Sequence, residues 1–237
     1  MDSEEVQEAL REIADPAIAK HSQHFFKTNP GEYGEGDQFL GIRVPETRKV
    51  AKQFSKLSLK ETKKLLQSLY HEERLCALII LVNKMKKADS ETGQQIYQFY
   101  LDNIDQVNNW DLVDTSAEHI IGHYLEDKDR NILYELAESK NLWKRRIAIM
   151  TTFYFIKNNN FADTLGVSQL LLNDDHDLIH KAVGWMLREV GKRNIKAEEK
   201  FLNQHGKKMP RTMLRYAIEK FTKAKRKYYL YKTKPDR

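Results

Sequence analysis

The chain has 237 residues, enough for one large domain or two small ones, of which 41% are hydrophobic and 31% charged. That balance describes a globular protein with a sizeable core. No apolar run reaches the roughly 18 residues of a membrane span, and a single cysteine, Cys76, excludes an internal disulfide framework or a cysteine-based zinc cluster. The net charge of +6 is unevenly spread. Residues 192–237 hold 16 Lys/Arg against 4 Asp/Glu, so this segment is +12 and the remainder −6. Such asymmetry points to a polyanionic partner engaged near the C-terminal part. The first residues, MDSEEVQEALREIA, are acidic and amphipathic with no signal-peptide pattern. The expectation is a cytoplasmic monomer.

Proline is absent from 46 to 209, and only five glycines fall in 42–205. Because Pro and Gly are the usual helix breakers, this predicts a long array of helices. Strand signals, such as Asn-Gly turns or sustained alternation, are missing. In chain order the pattern predicts helices at 3–14, 16–27, 45–56, 59–70, 72–87, 90–106, 110–125, 129–139, 142–157, 161–172, 176–193, 196–205 and 210–222. Ser58 to Glu61 reads as a capping box, and Asp129 and Asp175 suit N-cap positions. Connections of two to five residues make consecutive helices antiparallel neighbours. Pairs recur about every 35–45 residues, the period of HEAT-like solenoids. The expected fold is therefore all-α: one HEAT-like repeat domain over 1–237, curved, with a concave basic face. Two segments depart from it. Residues 29–43, NPGEYGEGDQFLGIR, form a long loop in which Phe39-Leu40-Gly41-Ile42 is an apolar clip and Pro45 opens the next helix. Residues 223–237 form a basic tail that interleaves Lys225, Arg226 and Lys227 with Tyr228, Tyr229 and Tyr231.

Three segments carry candidate chemistry. In KAVGWMLREVGK, helical spacing puts Ile179, Ala182, Val183, Met186, Leu187 and Val190 on one face. Lys181, Trp185, Arg188 and Lys192 fall within about 60° of each other on the other. A tryptophan among three cations fits a surface that meets phosphates and stacks on bases. It fits equally a solvated face with the indole packed under a neighbouring helix. In NNWDLVDTSAEHI, Trp110 and Asp114 are four apart and share a face, whereas Asp111 points about 100° away. A carboxylate beside an indole could stabilise a developing positive charge or polarise a water; Asp114 could also simply pair with an arginine. In NLWKRRIAIMTTFYFIKN, Arg146 and Lys157 are eleven apart and nearly in register, an arrangement suited to phosphate contacts. A structural ion pair to Asp114 or Glu118 is an equally simple use for Arg146. Phosphate-binding glycine loops and H-E-x-x-H are absent. His119 and His123 have helical metal-pair spacing, but no cysteine or carboxylate completes a site. Cys76 lies in the apolar run CALIILV and reads as a buried small residue.

FLGIRVPETRK, NNWDLVD, NLWKRRIAI and HKAVGWMLREVGK, in that order, resemble the bacterial DNA alkylation-repair glycosylases of the AlkD type, from about Phe39 to Phe221. The resemblance implies a HEAT-like fold and base excision repair: hydrolysis of the N-glycosidic bond of cationic N3- or N7-alkylated purines, such as 3-methyladenine and 7-methylguanine, without a cofactor or metal. It implies that Trp110 and Trp185 line the lesion site with Asp114 as the catalytic aspartate. It implies also that Arg146 and Arg188 line a cleft facing double-stranded DNA; Lys157, Lys181 and Lys192, read from the basic stripes, are expected as further DNA-binding cations. Trp185 is then expected within reach of Trp110 and Asp114. Two other readings remain: a non-catalytic binder of distorted or branched DNA, and a helical-repeat scaffold for protein interactions.

Overall fold

The structure, a computed structural model, describes residues 1–232. Among these the chain is helical, and the one β feature is an isolated parallel bridge between Gln38 and Tyr70. No helix among them is long and apolar enough to cross a membrane. The chain divides into two compact units, Met1–Ile120 and a second beginning at Ile121.

The first unit contains α1 (Ser3–Arg11), α2 (Pro16–Phe25), α3 (Val44–Gln53), α4 (Leu59–Leu66), α5 (His71–Met85), α6 (Ser90–Asp102) and α7 (Trp110–Ala117). Helix α5 is its centre and packs on α1, α3, α4, α6 and α7. Its apolar run from Leu75 to Val82 is buried all round, which is why its sequence lacks an amphipathic stripe. Cys76 is inside this run, and burial pushes its thiol up to about 12.

Helix starts show where local chemistry and tertiary demand diverge. Ser58 Oγ accepts from the Glu61 amide at 3.2 Å, but the Glu61 carboxylate turns to the Ser3 amide and hydroxyl instead of closing the box. A complete capping box stands at Asp2 and Glu5.

The loop between α2 and α3 is held by one side chain. The Glu72 carboxylate accepts the backbone amides of Leu40, Gly41 and Ile42 at 2.9, 2.8 and 3.1 Å. Phe39 and Ile42 are buried, as the apolar clip requires, and Pro45 lies in the first turn of α3. Gly41 sits at φ +83°, where a Cβ would lie 2.0 Å from the Asp15 carbonyl oxygen.

The second unit contains α8 (Asn131–Ala137), α9 (Leu142–Thr151), α10 (Phe153–Lys157), α11 (Ala162–Leu170), α12 (Asp177–Arg193), α13 (Ile195–His205), α14 (Arg211–Ala217) and α15 (Lys223–Lys232). Here α12 is central, packed on α9, α10, α11, α13 and α14. The six apolar residues assigned to its inner face are all buried, and each of them except the small Ala182 contributes about 1.5–3 kcal/mol by leaving water. Gly184 lets α14 approach: a Cβ there would meet the Met213 carbonyl oxygen at 2.4 Å. Across both units consecutive helices pack as pairs, α4 on α5, α8 on α9 and α12 on α13, the helical-repeat pattern expected from short connections.

Several expected elements are corrected. The helix placed at 110–125 ends at Ala117 and gives way to a π-turn at Glu118–Gly122. The helix placed at 142–157 breaks at Thr152, whose hydroxyl donates to the Ile149 carbonyl. The N-caps of α8 and α12 are Arg130 and His176; Asp129 and Asp174 accept amides just upstream. The basic tail is helical through Lys232; residues 233–237 lie outside the described residues.

Candidate functional site

In the first unit, Trp110 and Asp114 line one cleft of about 210 Å³, together with Arg48, Lys86, Asp111, Thr115 and His119. The two residues expected to share a helical face therefore do share a surface. Asn109 sets the start of α7: its side chain accepts from the Trp110 amide at 2.8 Å. The indole stacks on Phe26 with centroids 5.2 Å apart and planes at 16°, and meets Phe25 edge-on at 5.9 Å. Phe26 in turn lies against Phe39 and His71.

Behind this wall runs a buried chain of charges. His71, the first residue of α5, faces Asp111 Oδ2 with Nε2 at 2.8 Å and Asp37 Oδ2 with Nδ1 at 3.2 Å. Asp37 also accepts from Arg74 Nη2 at 2.6 Å and Asn109 Nδ2 at 3.0 Å. Arg74 donates further to the Ser68 and Leu69 carbonyls. Burial alone would pull the imidazole pKa down, but Asp111, adding its charge to its hydrogen bond, and the Asp37 hydrogen bond together push it up to about 9. His71 is therefore doubly protonated at neutral pH and donates on both sides. Burial raises the pKa of Asp37, yet the His71 hydrogen bond, the Arg74 charge and the Asn109 amide outweigh it, and the net shift is downward. A buried pair is stable only when its remaining lone pairs are satisfied, and here three donors serve Asp37.

In the second unit, Trp185 is half-buried. Its Nε1 donates to Glu189 Oε1 at 3.2 Å, and its ring lies 6.0 Å from Phe153. Lys157 sits over Phe153 with its Nζ 4.4 Å from the ring centroid. Lys192 and Arg193 also bind the Glu189 carboxylate, at 2.6 and 3.4 Å. Lys181 pairs with Asp177 at 2.6 Å, and Arg188 pairs with Glu219. The basic stripe of α12 is thus laced with carboxylates from its own unit. Arg146 is buried, and its Nη1 donates to the Leu178 carbonyl at 2.6 Å. Because the helix breaks at Thr152, Arg146 and Lys157 are on different helices and the eleven-residue register between them is lost.

Asp37, His71, Arg74, Asn109 and Asp111 had no role in the sequence reading. Asp111 was set aside because it points 100° from Trp110, which holds for the helix but not for the cleft, whose wall spans both directions. His71, Glu72, Glu73 and Arg74, at the start of the helix placed at 72–87, are all buried despite their charge. Their side-chain partners Asp37 and Asp111, and the loop amides that Glu72 accepts, lie 30 or more residues away in sequence, so no local spacing reveals them. Asp37 in the glycine-rich loop was the one visible trace, as a charge without helical context.

A family model described as DNA alkylation repair enzyme matches residues 6–221. A solved structure, a predicted DNA alkylation repair enzyme from Enterococcus faecalis, is 19% identical, with a TM-score of 0.68 over 89% of this chain and 97% of that one. At that identity the likeness carries the fold. No curated protein matches the chain.

Proposed function

The chain belongs to the DNA alkylation repair enzyme family, and from that premise we propose that it is a DNA glycosylase for cationic N3- and N7-alkylpurines. The observation that carries this reading is the cleft shared by Trp110 and Asp114. An alkylated purine is cationic and leaves readily. As the C1′–N9 bond breaks, its electron pair passes to the purine, which becomes neutral, and positive charge develops on the sugar. The Asp114 carboxylate would stabilise that charge and hold the water that adds to C1′; the proton released by the water passes to the carboxylate or to solvent. The indole of Trp110, held flat by Phe26, offers a π-face to the cationic base or sugar, worth about 0.5–2 kcal/mol. Arg48 and Lys86 on the same cleft suit flanking phosphates.

On this proposal Trp185 supplies a second aromatic contact, Lys157 turns from the Phe153 ring to a DNA phosphate, and Lys181, Arg188 and Lys192 exchange their carboxylate partners for phosphates. Arg146, buried against the Leu178 carbonyl, would act by holding α9 to α12.

The deciding assay is release of 7-methylguanine or 3-methyladenine from methylated duplex DNA by the wild type and by Asp114→Asn. Release by the wild type, with a loss of at least about 100-fold in the variant and DNA binding retained, supports the mechanism. Salt-sensitive DNA binding without base release at any enzyme concentration would favour the non-catalytic binder, and no DNA affinity the scaffold.

A further inference from the structure

The family match ends at Phe221, and the next element is α15. Its sequence, KAKRKYYLYK, holds five cations and no carboxylate. The helix is docked, not loose: Tyr229 is buried and lies 5.6 Å from Phe221, Lys225 pairs with Glu199, Lys232 binds Asn203 Oδ1 at 3.0 Å, and Arg211 donates to the Leu230 carbonyl. These contacts use one side of the helix. At 100° per residue, Lys223, Lys227 and Tyr231 fall on the opposite side, with Arg226 at one edge and Tyr228 beside the docked Lys232. All five are exposed, Tyr228 by 53% and Tyr231 by 75%. Lys223, Arg226 and Lys227 pair with no carboxylate among the described residues, in contrast to the cations of α12.

We propose that α15 is an accessory DNA-binding helix, added beyond the family's common portion, whose outer face binds the phosphate backbone of duplex DNA. It rests on DNA being the partner, and not on base release. Ten helical residues span about 15 Å, over which a duplex presents roughly nine phosphates, one per ~1.7 Å of axis. Lys223, with Arg226 and Lys227 about one turn further on, is held on a docked helix, so the three cations can each meet a phosphate of such a row without prior ordering of the chain. The Tyr231 hydroxyl can donate to a phosphate oxygen, as side chains in backbone contacts commonly do. Such contacts carry no sequence information, so the surface would bind intact duplex as well as damaged duplex.

The test is the salt dependence of binding to an undamaged duplex. Each phosphate contact contributes about 0.9 to the slope of log K against log salt, so Lys223→Ala/Arg226→Ala/Lys227→Ala in the full chain is expected to lower the slope by about 2.7. A charge-matched control, Lys56→Ala/Lys60→Ala/Lys63→Ala, removes three exposed lysines of the first unit and is expected to leave it unchanged. An unchanged slope in the α15 variant would overturn the proposal, and so would an equal fall in both variants, because net charge would then be acting. Loss of binding to anionic phospholipid vesicles with no change on duplex would overturn it as well. A chain that binds duplex with the α15-dependent slope but releases no base would sink the glycosylase reading and leave this one standing.

Discussion

His71 Nε2 lies 2.8 Å from Asp111 Oδ2, so the first residue of α5 fixes a carboxylate on the cleft wall three residues before Asp114. Two carboxylates at i and i+3 on one helix face repel each other. An imidazolium clamped between Asp111 and Asp37 offsets that repulsion from the Asp111 side.

That clamp makes stability depend on pH. The pKa of His71 is raised from 6.5 to about 9 by folding, so its contribution is full below pH 6.5 and is lost as pH rises through 9. The groups facing it are Asp37, Asp111 and Arg74. His71→Gln takes the imidazolium from the buried Asp37, which keeps Arg74, and from the partly buried Asp111, a change expected to cost up to about 3 kcal/mol at pH 7. Urea melts from pH 6 to 9.5 should show wild type and variant converging toward the alkaline end. Parallel curves would mean that His71 is neutral in the folded protein.

Trp110 is held by stacking and used, on the proposed mechanism, for cation–π contact. Trp110→Ala is expected to slow single-turnover release of 7-methylguanine by about 2- to 30-fold, the equivalent of about 0.5–2 kcal/mol. Trp110→Phe retains a ring against Phe26 and should lose less. Equal rates for both variants and wild type would remove the indole from the chemistry.

The α12 face and the Trp110–Asp114 pair were legible because both are local. One needs only the 3.6-residue period, the other only the four-residue spacing. Helix ends were less legible: Thr152 and the π-turn after Ala117 interrupt segments that have no proline or glycine beside Thr152 or Ala117 to mark the break. The chain from Asp37 through His71 to Asp111 was invisible, because its members come from a loop and two helices and each reads locally as surface. Pairing within the α12 stripe was hidden in part for the same reason, since Glu219 reaches Arg188 from 31 residues away.

The loop that carries Asp37 depends on Gly41. A Cβ there would lie 2.0 Å from the Asp15 carbonyl oxygen and 2.5 Å from the Ala19 amide nitrogen, both backbone atoms. Gly41→Ala should therefore cost several kcal/mol, beyond the roughly 1–2 kcal/mol of left-handed strain alone. Gly36 has a similar φ of +86° with nothing within 4 Å, so Gly36→Ala should cost the strain alone. Thermal melts of the two variants separate packing from conformation; equal losses would show that α2 yields to the added methyl.

Glu198 supplies a second pH dependence, in the other unit. Its carboxyl is 1% exposed and its Oε1 has no hydrogen-bond partner. It covers Gly191 so closely that a Cβ there would overlap Oε2. Burial pushes its pKa up to about 8; Glu199 adds to this, while Lys225 and Arg188 oppose it. Glu198 is thus protonated in the folded protein at neutral pH and ionised once unfolded. With the folded value above the unfolded one, stability is full below about pH 4.5 and falls as pH rises through 8. Glu198→Gln keeps the shape and removes the proton uptake. The variant should match the wild type near pH 4.5 and exceed it by a few kcal/mol at pH 8.5, at about 1.4 kcal/mol per pH unit between the two values. His71 acts equally in both proteins, so the difference between their urea midpoints isolates Glu198. A constant difference from pH 4.5 to 8.5 would mean that the carboxyl is charged in its buried site.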